Sequence, residues 1–348
     1  MSQKDKITIY DISRKLNISA ATVSRALNNS ARVSAKTRDL VLKTAKELNY
    51  QQNSLAVALK SGRTFNVGVV VPLINRSFFA SVIRGIEEEL EPKGYHVIIC
   101  QTHEDADKEA QQLQALLNTN IDGVFISVSK TTEDLKHLEA VLNSKTPLIF
   151  FDRKKDLKGV STVSIDDFKG AYDAVTHLIE QGYSKIIHVG GDRNLNIYED
   201  RYRGYVAALE AHHLSNQNLP DFQMSSSIES GLEAVNQLYD SQTDFDAIFC
   251  ASDYIALGCV QELRSRGIQI PQEVGVVGFS NEPFTSHLEN PLSTVGQTPV
   301  LMGKIAAQVF LEQINAGKDS EPLEKNVVLK PELFTRSTSL KKEPLRFP

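Results

Sequence analysis

Seven short Val/Ile-rich runs alternate with amphipathic stretches between residues 66 and 280. This alternation constrains the chain more than any other feature. The runs are NVGVVVPL (66–73), YHVIICQT (95–102), DGVFISV (122–128), PLIFFD (147–152), KIIHVGG (185–191), DAIFCAS (246–252) and EVGVVGFS (273–280). Each is almost continuously apolar, the pattern of a strand covered on both faces. Stretches of helical period, such as ADKEAQQLQALLNTN and YIALGCVQELRSRG, separate most of them. Strand, helix and strand in repeated order predict parallel sheet. Seven or more such units exceed one small sheet, so two α/β lobes are expected.

Ligands of open α/β sheets bind beyond the carboxyl ends of the strands. Asp152 ends PLIFFD, Ser252 and Asp253 follow AIFCA, and Ser280 and Asn281 end the VGVVGF run. These positions would converge on a crevice between the lobes. Arg201 lies near the start of the helical stretch NIYEDRYRGYVAAL, where a long charged side chain reaches into such a crevice. Phe78 and Phe79 begin the first helix of this region and offer a face for stacking on a sugar. Taken singly, each of these is more often a cap or a core residue.

The first 63 residues differ in charge from the rest. They hold 12 basic and 4 acidic residues, whereas the whole chain has a net charge of −5. A basic head on an acidic body suggests that the head meets a polyanion. Thr8 can cap a helix through IYDISRKL, with Ile9, Ile12 and Leu16 at helical spacing. Asn17-Ile18 is a short turn, and Ser19 caps a second helix that ends near Asn28. A third helix from Ser34 puts Val41, Ala45 and Leu48 on one face. Three short helices with a tight turn between the first two form a helix-turn-helix layout. The second helix, AATVSRAL, keeps one face small and polar. That suits entry into a major groove, with Arg25 forking onto guanine and Thr22 and Ser24 bonding phosphates or base edges. Val23 and Leu27 anchor the other face.

Other classes are excluded. No run approaches the ~18 apolar residues of a membrane span. The amino terminus has no apolar signal core, which gives a cytoplasmic expectation. Cys100, Cys250 and Cys259 lack metal-ligand spacing and read as reduced packing residues. No metal and no cofactor are expected. The chain has no G-x-G-x-x-G after a strand, no Walker loop, no G-x-S-x-G and no H-E-x-x-H. His188 lies within a strand run and reads as packed. An enzyme, or a secreted sugar-binding protein without DNA function, remains only as an alternative.

TIYDISRKLNISAATVSRALN followed by RVSAKTRDLVLKTAKELNY closely resembles the DNA-binding domain of the lactose/galactose repressor family. The resemblance implies that Ala20, Ala21 and Arg25 face bases. Thr8, Ser19, Thr22, Ser24, Asn28 and Ser34 would hold the DNA backbone or support the helix. The family's hinge helix is matched by Asn53, Ala56 and Leu59, with Leu59 wedging into the minor groove. Gln52 replaces the usual proline. FFDRKK, VSIDDFKGAYDAVTHLIEQGYSKIIHVGG, RYRGYVAAL, CASDYIALG, VGVVGFSNEP, LSTVGQ and ELFTRSTS resemble, in order, the same family's effector domain, which is of periplasmic-binding-protein type. The resemblance implies effector contacts at Phe78, Asp152, Arg201, Ser252, Asp253, Ser280 and Gln297.

Two departures bear on the ligand. Ser280 stands where most members have Asp, and Arg76-Ser77 where Asn-Pro is common. One acid fewer and one base more, Arg76, suggest an anionic effector such as a sugar acid or sugar phosphate. The expected organisation is a helix-turn-helix domain at 1–49, a hinge helix and linker at 50–62, a two-lobed effector and dimerisation domain at 63–340, and a short tail at 341–348. The expected function is that of a dimeric repressor. It binds double-stranded, palindromic operator DNA and answers to a small sugar or sugar derivative. The short tail LKKEPLRFP leaves no room for a heptad, so a homodimer is expected.

Overall fold

Polar caps set the helix starts of the N-terminal unit, residues 1–64. The computed structural model describes residues 7–50, 62–215, 219–316 and 324–341. Helix α1 spans Ile9–Leu16. The Thr8 backbone N–H and hydroxyl both donate to Asp11 Oδ2, at 2.8 and 2.7 Å. These bonds, with the Arg14 guanidinium, draw the Asp11 carboxyl down to about 2. Asn17 ends α1 in the left-handed region, at φ 52°, a conformation asparagine tolerates. Helix α2, Ala20–Leu27, starts at Ser19, whose Oγ accepts from Thr22 N at 3.1 Å. Helix α3, Ala35–Glu47, starts in the same way at Ser34, which accepts from Thr37 N at 3.2 Å. Ile12, Val23, Ala26, Val33, Val41 and Ala45 close one small core between the three helices.

The second unit, residues 65–348, contains every apolar run as a strand. Its strands are β1 (Asn66–Val71), β2 (His96–Gln101), β3 (Gly123–Ile126), β4 (Leu148–Phe151), β5 (Ser161–Ile165), β6 (Ile186–Gly190), β7 (Phe222–Gln223), β8 (Ala247–Cys250), β9 (Gly275–Ser280), β10 (Ser293–Gly296), β11 (Asn326–Leu329) and β12 (Glu332–Phe334). They form two six-stranded sheets, in the orders β11-β5-β4-β3-β1-β2 and β12-β10-β9-β8-β6-β7. All pairings are parallel except β10 with β12. The two lobes expected from the strand count are therefore present.

The helices of the second unit are α4 (Ser77–Leu90), α5 (Ala106–Asn118), α6 (Lys136–Asn143), α7 (Asp167–Glu180), α8 (Asn196–Ala211), α9 (Ile228–Asp240), α10 (Asp253–Ser265) and α11 (Pro299–Asn315). Helices α4 and α11 pack together on the first sheet, and α7 with α8 on the second. The chain crosses between lobes three times: from β5 into α7, from β10 into α11, and from β11 into β12. Periodicity does not reveal these crossings. Strand β5, STVSI, is fully buried yet rich in hydroxyls, so an apolar-run search passes over it.

Helices α9 and α10 touch backbone to backbone. Glycines make this possible: a Cβ on Gly258 would lie 2.0 Å from Ile228 O and 2.9 Å from Gly231 Cα. Alanine favours a helix over glycine by about 1 kcal/mol, but the clash here is with main chain that cannot rotate away. Overpacking of this kind costs about 1–3 kcal/mol or more, so the clash wins. Gly258→Ala is expected to lower the urea midpoint of the full chain; a variant as stable as the parent would contradict this crossing.

Candidate functional site

In the N-terminal unit, α2 carries Ala20, Ala21, Thr22, Ser24 and Arg25. Val23 and Ala26 are buried beneath it, so the remaining face is free of bulk. Ala21, Arg25 and Asn28 are exposed, and Ala20, Thr22 and Ser24 are half-buried. Arg25 has no side-chain hydrogen-bond partner among the described residues, so its planar fork is uncommitted. Asn28 donates through Nδ2 to Ser24 O at 2.7 Å and so finishes the helix. Thr8, Ser19 and Ser34 are exposed and stand at the amino ends of α1, α2 and α3. Backbone N–H groups and the helix dipole there suit phosphate oxygens. Asn53, Ala56 and Leu59 lie outside the described residues.

In the second unit, a cleft of about 740 Å³ opens between the lobes. Eight of the nine candidate effector residues line it: Arg76, Phe78, Phe79, Asp152, Arg201, Ser252, Ser280 and Gln297. They come from strand ends and helix starts in both lobes, with Gln297 on the crossing between β10 and α11. Asp253 is the exception. It is fully buried, and it faces its own lobe. Its carboxylate accepts from the Glu282 backbone N–H at 2.7 Å and from Thr294 Oγ1 at 2.5 Å. Burial raises this carboxyl to about 7. Asp253 thus fixes the segment after β9, from which Ser280 and Glu282 reach the cleft.

Asp152 and Arg201, both buried, line the cleft from different lobes. Asp152 follows β4 with φ 62°, a strained left-handed backbone for a non-glycine residue. Its carboxylate is buried, with a long 3.4 Å bond from Ser127 Oγ. Desolvation pushes its pKa up, against the pull of Arg153 and Arg201. Most of its acceptor capacity is therefore open. Arg201, on α8 of the other lobe, is 3 % exposed. Its Nε and Nη2 each lie 2.7 Å from Asp167 Oδ1. Its Nη1 donates to Ala251 O at 2.8 Å, and its guanidinium lies 3.7 Å over Phe279. Five donors minus three leave two N–H groups for the cleft. Burial outweighs the Arg201 charge at Asp167 and raises that carboxyl to about 7. An acceptor facing a fixed pair of donors suits hydroxyl groups on a ligand. Phe78 and Phe79, at 5.2 Å and edge to face, supply an apolar wall.

The charge balance of the cleft bears on the expectation of an anion. Three of the four cations lining the cleft have protein partners. Arg153 donates to Glu104 at 2.8 Å. Arg201 is held by Asp167. Arg76 donates to Ser226 O at 2.8 Å and stacks 3.8 Å over Tyr254. Lys130 is exposed to solvent. Against these four stand five carboxylates, Glu104, Glu133, Asp152, Asp192 and Glu282. The cleft lining thus carries one more carboxylate than cation.

Several cleft residues were not singled out from the sequence. Arg153 and Glu282 adjoin residues that were, and Glu104 follows the end of β2, so the strand-end rule reaches all three. Ser225, Ser226 and Ser227 follow β7, a strand of two residues without a sequence signal. His188 is stacked 5.3 Å from Tyr205. Burial holds its ring neutral, with a pKa of about 3. No helix among the described residues is long and apolar enough to cross a membrane.

Comparison with known proteins adds to this geometry. Residues 8–53 match bacterial regulatory proteins of the lacI family. Residues 64–328 match periplasmic binding proteins and the sugar-binding domain of the LacI family. The HTH-type transcriptional regulator RegA of Clostridium saccharobutylicum is 33% identical over 96% of this chain and 99% of its own length. A transcriptional regulator CelR–cellobiose complex superimposes with a TM-score of 0.72 at 27% identity, over 95% of this chain and 99% of the other. The lac repressor dimer bound to operator and the anti-inducer ONPF gives a TM-score of 0.85, over 97% and 100% of the two chains. At 23% identity that likeness speaks for the fold alone.

Proposed function

The chain belongs to the lacI family of bacterial regulatory proteins, and from that premise we propose that it is a cytoplasmic repressor that releases or grips its operator according to a neutral sugar held in the cleft. It is a DNA-binding transcriptional regulator. Residues 1–49 read the major groove, 50–62 form the hinge, 63–340 bind effector and pair two subunits, and 341–348 are a short tail. Arg25 reads a base, Ala20 and Ala21 allow close approach, and the caps at Thr8, Ser19 and Ser34 meet phosphates. Two heads on a two-fold dimer require a palindromic site. Asp152 and the two spare Arg201 N–H groups take adjacent hydroxyls, with Phe78 and Phe79 against the ring.

One observation carries this reading. Eight candidate residues, distant in sequence, line a single cleft. The effector acts through unequal affinity for the two states of the molecule.

A melting screen of the full chain tests the ligand class. Neutral mono- and disaccharides are expected to raise the Tm, by an amount equivalent to about 2.7 kcal/mol at a hundredfold excess over Kd. Sugar phosphates and sugar acids are expected to leave it unchanged. Stabilisation by phosphates alone would overturn the neutral-ligand assignment.

Leu59 is the proposed minor-groove wedge. Leu59→Ala is expected to reduce operator bending, read by circular-permutation gel shift, while affinity for bulk duplex stays within about twofold, since a wedge adds nothing to phosphate contact. Equal bending by variant and parent would reject the role.

A further inference from the structure

Ser77, the first residue of α4 in one lobe, and Arg76, its N-cap, both contact the other lobe. The Arg76 Nη2 donates to Ser226 O at 2.8 Å. Its guanidinium lies 3.8 Å over the Tyr254 ring, at the start of α10. Tyr254 is braced in turn by Phe284, edge to face at 5.3 Å. The neighbouring Ser77 hydroxyl donates to the Glu282 carboxylate. The Glu282 backbone is fixed by the fully buried Asp253. Every one of these contacts joins protein atom to protein atom, so none needs a ligand to form. Lys154 N donates to Asn196 Oδ1 at 3.0 Å, which joins the lobes at a second place.

We propose that the Arg76-Ser77 dipeptide is a latch: it clips the lobes together across the cleft by contacts with Ser226, Tyr254 and Glu282. It meets neither Asp152 nor Arg201, and its partners are Ser226, Tyr254 and Glu282. The latch sets how far the lobes part before a ligand enters, and so it governs the equilibrium on which the effector acts. One of the five Arg76 donors and the flat face of its guanidinium are engaged with the opposite lobe. The two places where this chain departs from Asn-Pro, Arg76 and Ser77, act as one device. The latch holds for whatever ligand the cleft takes.

The latch is tested without any ligand. Spin labels are placed at Lys108→Cys on α5 and Glu233→Cys on α9, both exposed and in opposite lobes, in a Cys100→Ser background of the full chain. The remaining cysteines, Cys250 and Cys259, are fully buried and stay unlabelled. The parent, diluted with unlabelled chain so that labels on a partner subunit do not contribute, is expected to show one narrow separation. Arg76→Ala is expected to shift weight to longer separations, lowering the closed-to-open ratio about tenfold, the effect of losing one partly desolvated stack and one charged hydrogen bond. Tyr254→Leu removes the stack from the other side and is expected to move the distribution in the same direction. Because the two variants lie in different lobes, local damage to one of them does not mimic the other. Distributions unchanged in both variants, or opening in only one of the two, would overturn the latch.

Discussion

Arg201→Ala is expected to leave operator binding intact, abolish the response to effector, and destabilise the two-lobed unit. Removing Arg201 deletes both N–H groups that face the cleft and leaves Asp167 buried without its partner. Breaking a buried ion pair from one side costs about 3–5 kcal/mol. Asp167 already sits near 7 with Arg201 present, and loss of the cation raises it further, so protonation softens the penalty in acid. The sign follows from linkage. A carboxyl whose folded pKa lies above its unfolded value of 3.8 binds more protons folded than unfolded, so stability falls as pH rises through that window. In the parent the decline from this group levels off above about 7. In the variant it continues. Urea unfolding at pH 6 and pH 8 is expected to show a larger gap between variant and parent at pH 8. A gap of equal size at both would mean that Asp167 is not the group left behind.

Arg25→Ala is expected to weaken binding to the specific site by about 1–3 kcal/mol, roughly 5- to 150-fold, and to leave affinity for bulk duplex nearly unchanged at the same salt. The distinction rests on what the side chain does. A base contact discriminates between sequences, whereas a phosphate contact weakens binding to all of them equally and lowers the salt slope by about one. Arg25 is exposed and unpaired among the described residues, and the α2 core rests on Val23 and Ala26. The head's own stability should therefore move by less than ~0.5 kcal/mol. Equal losses on specific and bulk duplex, measured by competition gel shift, would reassign Arg25 to the backbone.

The alternation of apolar runs with helical stretches was enough to place both lobes, because a strand buried on both faces must be apolar throughout. The caps at Thr8, Ser19 and Ser34 gave the head for a similar reason: few residue types satisfy free backbone N–H groups. Strand β5 escaped this logic because its Ser161 and Thr162 are buried with their hydroxyls bonded, Thr162 donating to Asn326 at 2.7 Å. Strands β11 and β12 are short and belong to opposite sheets, a fact of tertiary connection with no local signature. Asp253 shows the limit of the strand-end rule. The rule locates a residue at the mouth of a sheet, but the backbone N–H of Glu282, 29 residues on, decides where the carboxylate turns. Arg76 makes the same point about charge. Its presence was legible, but its commitment to Ser226 O, 150 residues away, was not.

The central claim is that a small molecule in the cleft controls the grip of the basic head on one DNA sequence. Its most direct test is the affinity of the full chain for a duplex selected from a random pool, measured over genomic competitor with and without the sugar that raises the Tm most, for the parent and for Arg201→Ala. A preference of about a thousandfold or more for the selected duplex is expected. A change of about fivefold or more on adding the sugar is also expected, present in the parent and absent in the variant. Binding that prefers no duplex over competitor, whether or not the sugar is present, would contradict the claim.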